Sequence, residues 1–221
     1  MRKQFCSIIL LVFLQMVIVT PAFAANQITL DGSFNDWSGQ AYLYDSLNGL
    51  FLSDDINYFY WATNEGESNL YFMIQRWSWG SWFDWIPATL YVHLDINANG
   101  SYSDTTDRYI RVDYDPSDGS SDVTVYTGKG KYVNSYSGNW GQTSYSGTGN
   151  KVEFKASMSD LGMYPAQSII MYASSSSDST SSVQWSPIPI MPIWLLITIF
   201  GVGLTGALIM FKKRRAVSET S

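Results

Sequence analysis

The chain has 221 residues, of which 46% are hydrophobic and 16% aromatic, and its formal net charge is −6. Between residues 25 and 185, 18 acidic side chains face only seven Lys or Arg, which leaves about 11 net negative charges. Phosphate binding needs clustered basic side chains, so we do not expect a nucleic-acid partner. The single cysteine, Cys6, leaves the rest of the chain without the residues for a disulfide or a Cys–His catalytic site.

The N-terminus has the layout of a secretory signal peptide. Arg2 and Lys3 form a short basic region, an apolar core follows at residues 8–19, and Ala22-Phe23-Ala24 forms a cleavage site. We therefore predict a signal peptide over residues 1–24 that is removed on export, together with Cys6. An uncleaved first membrane helix is the alternative, which the short apolar core disfavours.

Residues 25–185 have the size of one domain with a sizeable core, and their pattern is β throughout. Val152 and Phe154 alternate with Glu153 and Lys155, which predicts a strand with one face towards the core and one towards water. No long apolar stripe of helical period occurs. The fold class expected is all-β, an antiparallel, jelly-roll-like β-sandwich. The predicted strands cover residues 69–74, 89–94, 109–112, 122–126, 152–156 and 168–172.

Residues 76–85 hold four of the domain's tryptophans: Trp77, Trp79, Trp82 and Trp85. Tryptophan faces stack on the apolar faces of sugar rings, so this segment is a candidate sugar-binding platform. Two alternatives stay open: a hydrophobic plug at one end of the sandwich, and contact with the membrane interface. Five further aromatic residues are candidates to extend the platform: Tyr102, Tyr132, Tyr136, Trp140 and Tyr145.

A short loop after the second predicted strand has the oxygen-rich pattern of a calcium site. Oxygen-bearing side chains stand at its first, third and fifth positions, and Gly100 supplies the sharp turn at the sixth. The twelfth position, which closes an EF-hand loop with a carboxylate, is Thr106. The candidate ligands of a structural Ca²⁺ are Asp95, Asn97, Asn99, Ser101, Asp104 and Asp107. The alternative is an ordinary Asn-Gly turn between strands.

The start of the domain resembles known modules. Residues 28–37, with an Asp31-Gly32 turn and an Asp36-Trp37 pair, are similar to the opening of family-nine-type carbohydrate-binding modules and DOMON-like sandwiches. Motifs at residues 69–72, 94–97, 152–154 and 160–162 follow in a similar order. The resemblance implies a jelly-roll-like sandwich, often with structural calcium, that binds sugars through aromatic residues, and in which Asp31 and Trp37 are structural.

Some DOMON-like domains bind haem through His and Met. The only histidine here is His93, and Met73 lies one predicted strand earlier. A lone histidine on a strand is usually a hydrogen-bonded side chain, so we do not expect haem.

The C-terminus predicts a membrane anchor. Residues 192–211 form an uncharged, mostly apolar run long enough to span a bilayer, and the basic cluster of residues 212–215 marks the cytoplasmic side. A proline-containing spacer at residues 186–191 precedes this helix, and a basic tail at residues 212–221 follows it. The expected location is the cell membrane, with a single pass, an extracellular domain and a cytoplasmic C-terminus.

Within this helix, Gly201 to Gly206 match a dinucleotide-binding fingerprint. That fingerprint works only between a strand and a helix, so it is not a cofactor site here. The spacer, helix and basic cluster together resemble the sorting tails of bacterial exosortase systems, which implies a sorting peptidase as a partner. No L-P-x-T-G motif is present to support ordinary sortase attachment.

These patterns predict a surface-anchored, non-catalytic protein that binds a polysaccharide or cell-wall glycan. The sequence does not single out a catalytic group. The domain has three glutamates, Glu65, Glu67 and Glu153, and the spacing of none of them indicates a glycosidase acid or base. The rival hypothesis is an adhesion or envelope-assembly protein that uses its Trp-rich segment to bind another protein or the membrane surface.

Overall fold

A computed structural model describes residues 26–48, 54–78, 82–143 and 149–186. The predicted signal peptide, membrane helix and basic tail, and the spacer apart from Ser186, lie outside these residues. Among the described residues, no helix has both the length and the apolar character needed to cross a bilayer.

The described chain forms two antiparallel sheets, so the predicted all-β class is confirmed. A five-stranded sheet has the order β1-β2-β3-β9-β8, and a six-stranded sheet has the order β11-β10-β4-β5-β6-β7. The strands are β1 (Ala41–Tyr44), β2 (Ile56–Ala62), β3 (Asn69–Arg76), β4 (Ala88–Asp95), β5 (Arg108–Asp115), β6 (Ser120–Thr127), β7 (Tyr132–Tyr136), β8 (Trp140–Gly141), β9 (Lys151–Ser157), β10 (Ile169–Ser174) and β11 (Val183–Trp185). Two short 3₁₀ helices occur at Phe34–Trp37 and Trp82–Trp85.

The two sheets enclose one main hydrophobic core, as a β-sandwich does. Alternate residues of each strand point inward, because successive side chains of a strand lie on opposite faces. Phe72 of β3 stacks between Phe59 of β2 and Phe154 of β9, with ring centroids 6.1 and 5.5 Å away. Leu90 and Val92 of β4 are fully buried on the opposing sheet. Each predicted strand overlaps one observed strand.

A second, smaller core lies on the outer face of the five-stranded sheet. The segment before β1 crosses this face and buries Ile28 and Trp37 against Ala62, Tyr71 and Met73. Trp37 is only 2% exposed. Trp37 therefore helps to close one side of the sandwich.

The prediction that Glu153 faces water was wrong. Its side chain is fully buried, because the N-terminal segment covers this part of β9. One carboxylate oxygen accepts hydrogen bonds from the backbone N–H groups of Asp31 and Gly32, at 3.0 and 2.9 Å. The other accepts a hydrogen bond from the indole N–H of Trp37 at 2.8 Å. Glu153 thus ties the N-terminal segment to the sheet.

Candidate functional site

The outer face of the six-stranded sheet carries five aromatic side chains in cross-strand register. On neighbouring strands from β10 to β7, Tyr172 lies opposite His93, His93 opposite Tyr109, Tyr109 opposite Tyr126, and Tyr126 opposite Tyr132. We call these five residues the aromatic row. Since adjacent strands are about 4.8 Å apart, the row is about 19 Å long.

Two pairs of neighbouring rings in the row are stacked, and the rings of His93 and Tyr109 between them are tilted by 36°. The rings of His93 and Tyr172 are 4.5 Å apart at an angle of 13°, and those of Tyr109 and Tyr126 are 5.0 Å apart at 15°. Stacked rings cover each other's faces and present edges and hydroxyl groups to water. At the β7 end, Tyr132 is turned 82° from Tyr126 and is 56% exposed. The row is therefore a ridge with one more open ring at its end.

Tyr102, in the loop after β4, extends this surface beyond the row. Its ring stands at 89° to that of Tyr172, with the centroids 4.8 Å apart, and at 84° to that of His93. Burial raises the pKa of the Tyr102 hydroxyl, and the charge of Asp95 adds to this shift. The ring stays neutral at physiological pH.

His93 is an uncharged member of the row at neutral pH. Burial lowers the pKa of its imidazole, and Nε2 lies 3.0 Å from the Ser174 hydroxyl. Met73, the other residue considered for haem, is buried on the outer face of the opposite sheet. The two side chains do not share a site.

A polar row runs beside the aromatic row. Tyr91, Arg111 and Thr124 are in register on β4, β5 and β6, two residues along each strand. Arg111 forms an ion pair with Asp113 at 2.9 Å, and this contact raises the pKa of its guanidinium. Asp113 also accepts a hydrogen bond from the Thr89 hydroxyl at 2.7 Å. These groups supply donors and acceptors within reach of a ligand on the aromatic row.

A shallow pocket of about 250 Å³ lies at the far end of this polar surface. It is lined by Pro87 and by residues of β4, β5 and β6: Ala88, Thr89, Asp113, Tyr114, Asp115, Ser120 and Asp122. Its three carboxylates give this end of the sheet an excess of hydrogen-bond acceptors, which suits hydroxyl-bearing ligands better than anionic ones.

Of the four tryptophans of the predicted platform, the structure places Trp77 on the sheet opposite the aromatic row. Trp77 is half-buried and contacts Tyr44 of β1 edge-on, with the centroids 6.3 Å apart. Trp85 closes the second 3₁₀ helix and is 43% exposed. Trp82 opens that helix, and its side chain is outside the described part, as is the whole of Trp79. A sugar platform formed by these four residues stays a prediction.

The additional aromatic candidates lie in several places. Tyr102 and Tyr132 belong to the surface of the six-stranded sheet, as described above. Tyr136 bonds to Ser157 and Asp160 and so links β7 to the other sheet. Trp140 of β8 is 48% exposed. Tyr145 lies outside the described residues.

The predicted calcium loop is tightly wound around two buried carboxylates. Asp95 accepts hydrogen bonds from the backbone N–H groups of Asn99 and Gly100, at 3.2 and 2.7 Å. Asp107 accepts from the N–H groups of Ile96 and Asp104, at 3.2 and 2.8 Å. Both carboxylates are 0% exposed. Gly100, with φ of +85°, makes the sharp turn that the pattern predicted.

The outer half of the loop is held by side-chain contacts. The amide of Asn99 donates to Asp104 at 2.9 Å, that of Asn97 donates to the Thr106 hydroxyl at 3.2 Å, and the Ser101 hydroxyl lies 3.3 Å from that of Ser103. In the described parts of the chain, no three His, Cys, Asp or Glu side chains form a ready metal-binding group. Each buried carboxylate keeps unused lone pairs, and the donors are all oxygens, so the residues suit calcium. Calcium binding stays a prediction.

We expect calcium to raise the melting temperature of the domain formed by residues 25–185. At a free concentration about 100 times Kd, binding to the native state alone stabilises by about 2.7 kcal/mol, or about 5–10 °C for a domain of this size. Thermal unfolding with calcium and with EDTA measures this difference. Variants of Asp95 or Asp107 lose hydrogen bonds from backbone N–H groups whether or not metal binds. Asp104→Asn is therefore the better test variant, and it should reduce the calcium-dependent rise in melting temperature. Equal melting temperatures in calcium and EDTA would rule the site out.

Comparison of the chain with protein-family models, with curated proteins and with solved structures found no match. The resemblance to carbohydrate-binding and DOMON-like modules therefore stays a prediction.

Sequence analysis missed most of the aromatic row, namely Tyr109, Tyr126 and Tyr172, and gave His93 no place in a surface. A signal was present, because each of these residues occupies an outward position of a strand next to buried Val, Ile or Met. Their common surface depends on the pairing of separate strands, which no single segment shows.

Proposed function

We propose that this protein is a non-catalytic glycan-binding protein and that an extended glycan lies across the strands, along the aromatic row. The observation that carries the proposal is the register of five aromatic side chains on five neighbouring strands. Ring edges and the open ring of Tyr132 offer apolar contacts to sugar C–H groups, and the tyrosine hydroxyls offer hydrogen bonds.

The charges of this face favour neutral glycans. Arg111 is already paired with Asp113, and the neighbouring pocket adds Asp115 and Asp122. Carboxylates accept hydrogen bonds from sugar hydroxyls but repel uronate, sulfate or phosphate groups. The net negative charge of residues 25–185 acts in the same direction.

In this proposal, the export signal and membrane span predicted from the sequence place the domain on the outer cell surface. The ligand is then a polysaccharide of the cell wall or surroundings. The calcium loop, which supports the β4–β5 connection beside Tyr102, has a structural role.

The test is binding of the exported domain to neutral polysaccharides such as cellulose, xylan, mannan and chitin, with alginate as the anionic comparison. We expect Tyr126→Ala and Tyr109→Ala each to weaken binding about 5- to 30-fold, because a buried aromatic contact contributes about 1–2 kcal/mol. Tyr164→Ala is the matched control, since Tyr164 is 75% exposed and lies on a separate loop.

Two results would count against glycan binding along the row. One is the absence of binding to every polysaccharide in the panel at saturating concentrations. The other is binding that Tyr109→Ala and Tyr126→Ala leave as strong as in the Tyr164→Ala control. Retained strand content by circular dichroism ensures that weaker binding reports on the ligand contact.

A second candidate function, protein adhesion, is favoured by the stacking of the rings. Stacked rings hide their faces from sugars, while surfaces of tyrosine with small polar residues are typical of protein interfaces. Ser174 and Thr124 flank the row in this way. If the same tyrosine variants abolish attachment of whole cells to each other while glycans fail to compete, adhesion replaces glycan binding.

A further inference from the structure

A second aromatic surface lies on the outer face of the opposite sheet, at its β1 edge. Tyr42 and Tyr44 of β1 lie opposite Tyr60 and Tyr58 of β2, in register, and form a two-by-two arrangement that we call the tyrosine square. Tyr42 and Tyr44 are each 55% exposed. Trp77 borders the square through its edge contact with Tyr44. The covering N-terminal segment meets this surface at Tyr60, whose ring centroid lies 6.1 Å from that of Trp37.

The rings of the square are inclined to one another. Tyr42 makes an angle of 36° with Tyr60 and 69° with Tyr58, and Tyr44 makes an angle of 55° with Tyr58. The centroids in these pairs are 5.3 to 5.6 Å apart. Parallel stacking, as in the aromatic row, would cover the ring faces. The inclined, half-exposed rings of Tyr42 and Tyr44 leave parts of their electron-rich faces open to the solvent.

Three carboxylates lie in the chain directly next to one end of the square. Asp45 directly follows β1, and Asp54 and Asp55 directly precede β2. Burial raises the pKa of Asp45, and the charges of Asp178 and Asp55 raise it further. Like charges thus repel one another at this strand end, and a cation nearby would reduce that repulsion.

We propose that the tyrosine square binds a quaternary ammonium group. Open aromatic faces attract cations through the ring quadrupole, and the negative charges of the nearby carboxylates also attract them. A methylated ammonium suits a half-exposed surface better than a lysine side chain, because the lysine ammonium is strongly hydrated and costly to strip of water. This site is separate from the proposed glycan surface, and neither depends on the other.

Choline and its uncharged analogue of the same shape, 3,3-dimethyl-1-butanol, test the proposal directly. We expect choline to bind the exported domain with a millimolar Kd, measured by calorimetry or by NMR shifts of β1 and β2 amides, and the neutral analogue to bind at least about 5-fold more weakly. Equal binding of the two compounds would show an apolar contact only and overturn the proposal. Absence of choline binding would also overturn it.

Substitutions locate the site. Tyr44→Leu and Tyr42→Leu remove a ring face and should each weaken choline binding about 3- to 5-fold, whereas Tyr44→Phe keeps the face and should change it less than about 2-fold. Both positions are exposed on an edge strand, so these variants should fold. Tyr109→Leu, on the other sheet, is the control. Losses caused by Tyr109→Leu but not by Tyr44→Leu would place the cation elsewhere and refute the site.

A third experiment distinguishes the two possible sources of the ammonium group, a lipid headgroup and a free ion. Co-sedimentation with phosphatidylcholine vesicles, but not with phosphatidylglycerol vesicles, would identify a lipid headgroup, and choline binding without vesicle binding would identify a free ion. Cellobiose that shifts the same β1 and β2 amides and displaces choline would show a sugar site instead, and would overturn the proposal.

Discussion

Replacing Glu153 with alanine is expected to lower the free energy of unfolding by about 3–5 kcal/mol and to release the N-terminal segment from the sheet. The carboxylate accepts three hydrogen bonds, from the backbone N–H groups of Asp31 and Gly32 and the indole of Trp37. Alanine leaves all three donors without this acceptor and creates a cavity beneath Trp37. Urea unfolding measures the loss, and faster hydrogen exchange of the Trp37 indole N–H reports the release.

Glu153→Gln separates the charge from the shape. The glutamine oxygen can still accept from Asp31 and Gly32, but its NH₂ group meets the indole N–H of Trp37, donor against donor. We expect a loss of about 1–3 kcal/mol, smaller than for alanine. Trp37→Phe removes the same hydrogen bond from the other side, so the two changes together should cost less than their sum. A loss below 1 kcal/mol for Glu153→Ala would show that the N-terminal segment is held by its apolar contacts alone.

The same carboxyl group gives a signed pH dependence. Burial raises the pKa of Glu153 above its ordinary value of 4.5, and this effect exceeds the opposing hydrogen bonds from Trp37, Gly32 and Asp31. The native state therefore binds the proton more tightly than the unfolded state. The contribution of Glu153 to stability should increase as the pH falls through the raised native pKa and level off below about 4.5. The difference between wild type and Glu153→Gln across this window isolates the effect, and a difference that is constant with pH would contradict it.

The strands whose two faces differ in polarity were predictable, and those with similar faces were not. β9 alternates Val152 and Phe154 with charged residues, and it was predicted nearly to its ends. β2 carries Tyr58 and Tyr60 outward and Phe59 inward, so its alternation is invisible on a hydrophobicity scale. β1 has only four residues and gave no pattern of its own. The burial of Glu153 could not be predicted, because it depends on a segment more than 100 residues earlier in the chain.

The candidate surfaces were less predictable than the fold. The aromatic row and the tyrosine square exist only because separate strands pair in a particular register, and single-sequence patterns give strands without register. Tyr102 and Tyr132 were predicted as platform residues from composition alone. The dense Trp segment stands out because its residues are adjacent in sequence, and the contact it makes through Trp77 is with the tyrosine square, not with the aromatic row. Clustering of aromatic residues in the sequence was a weaker guide to an aromatic surface than their regular occurrence at outward positions of strands.

Replacing Arg76 with alanine is expected to cost about 3–5 kcal/mol, the other large effect in this domain. Arg76 is 1% exposed, and its guanidinium lies 5.3 Å from the Tyr114 ring centroid. It donates hydrogen bonds to the carbonyl oxygens of Ile86 and Gly149, at 3.1 and 2.9 Å. Burial lowers the pKa of this guanidinium, but it stays charged at neutral pH.

Replacing Arg76 should also affect the Trp-rich segment, because Arg76 and its hydrogen-bond acceptor Ile86 lie at the two ends of that segment. Without the guanidinium, the end of β3 and the start of β4 lose a direct tie, so Trp77 and Trp85 should become more mobile as well as the core less stable. Arg76→Met is the matched control, since it fills a similar volume without hydrogen bonds. A methionine variant as stable as wild type, with unchanged near-ultraviolet circular dichroism, would show that volume alone is required. A methionine variant with intact core packing but altered tryptophan signals would show that the guanidinium positions this segment.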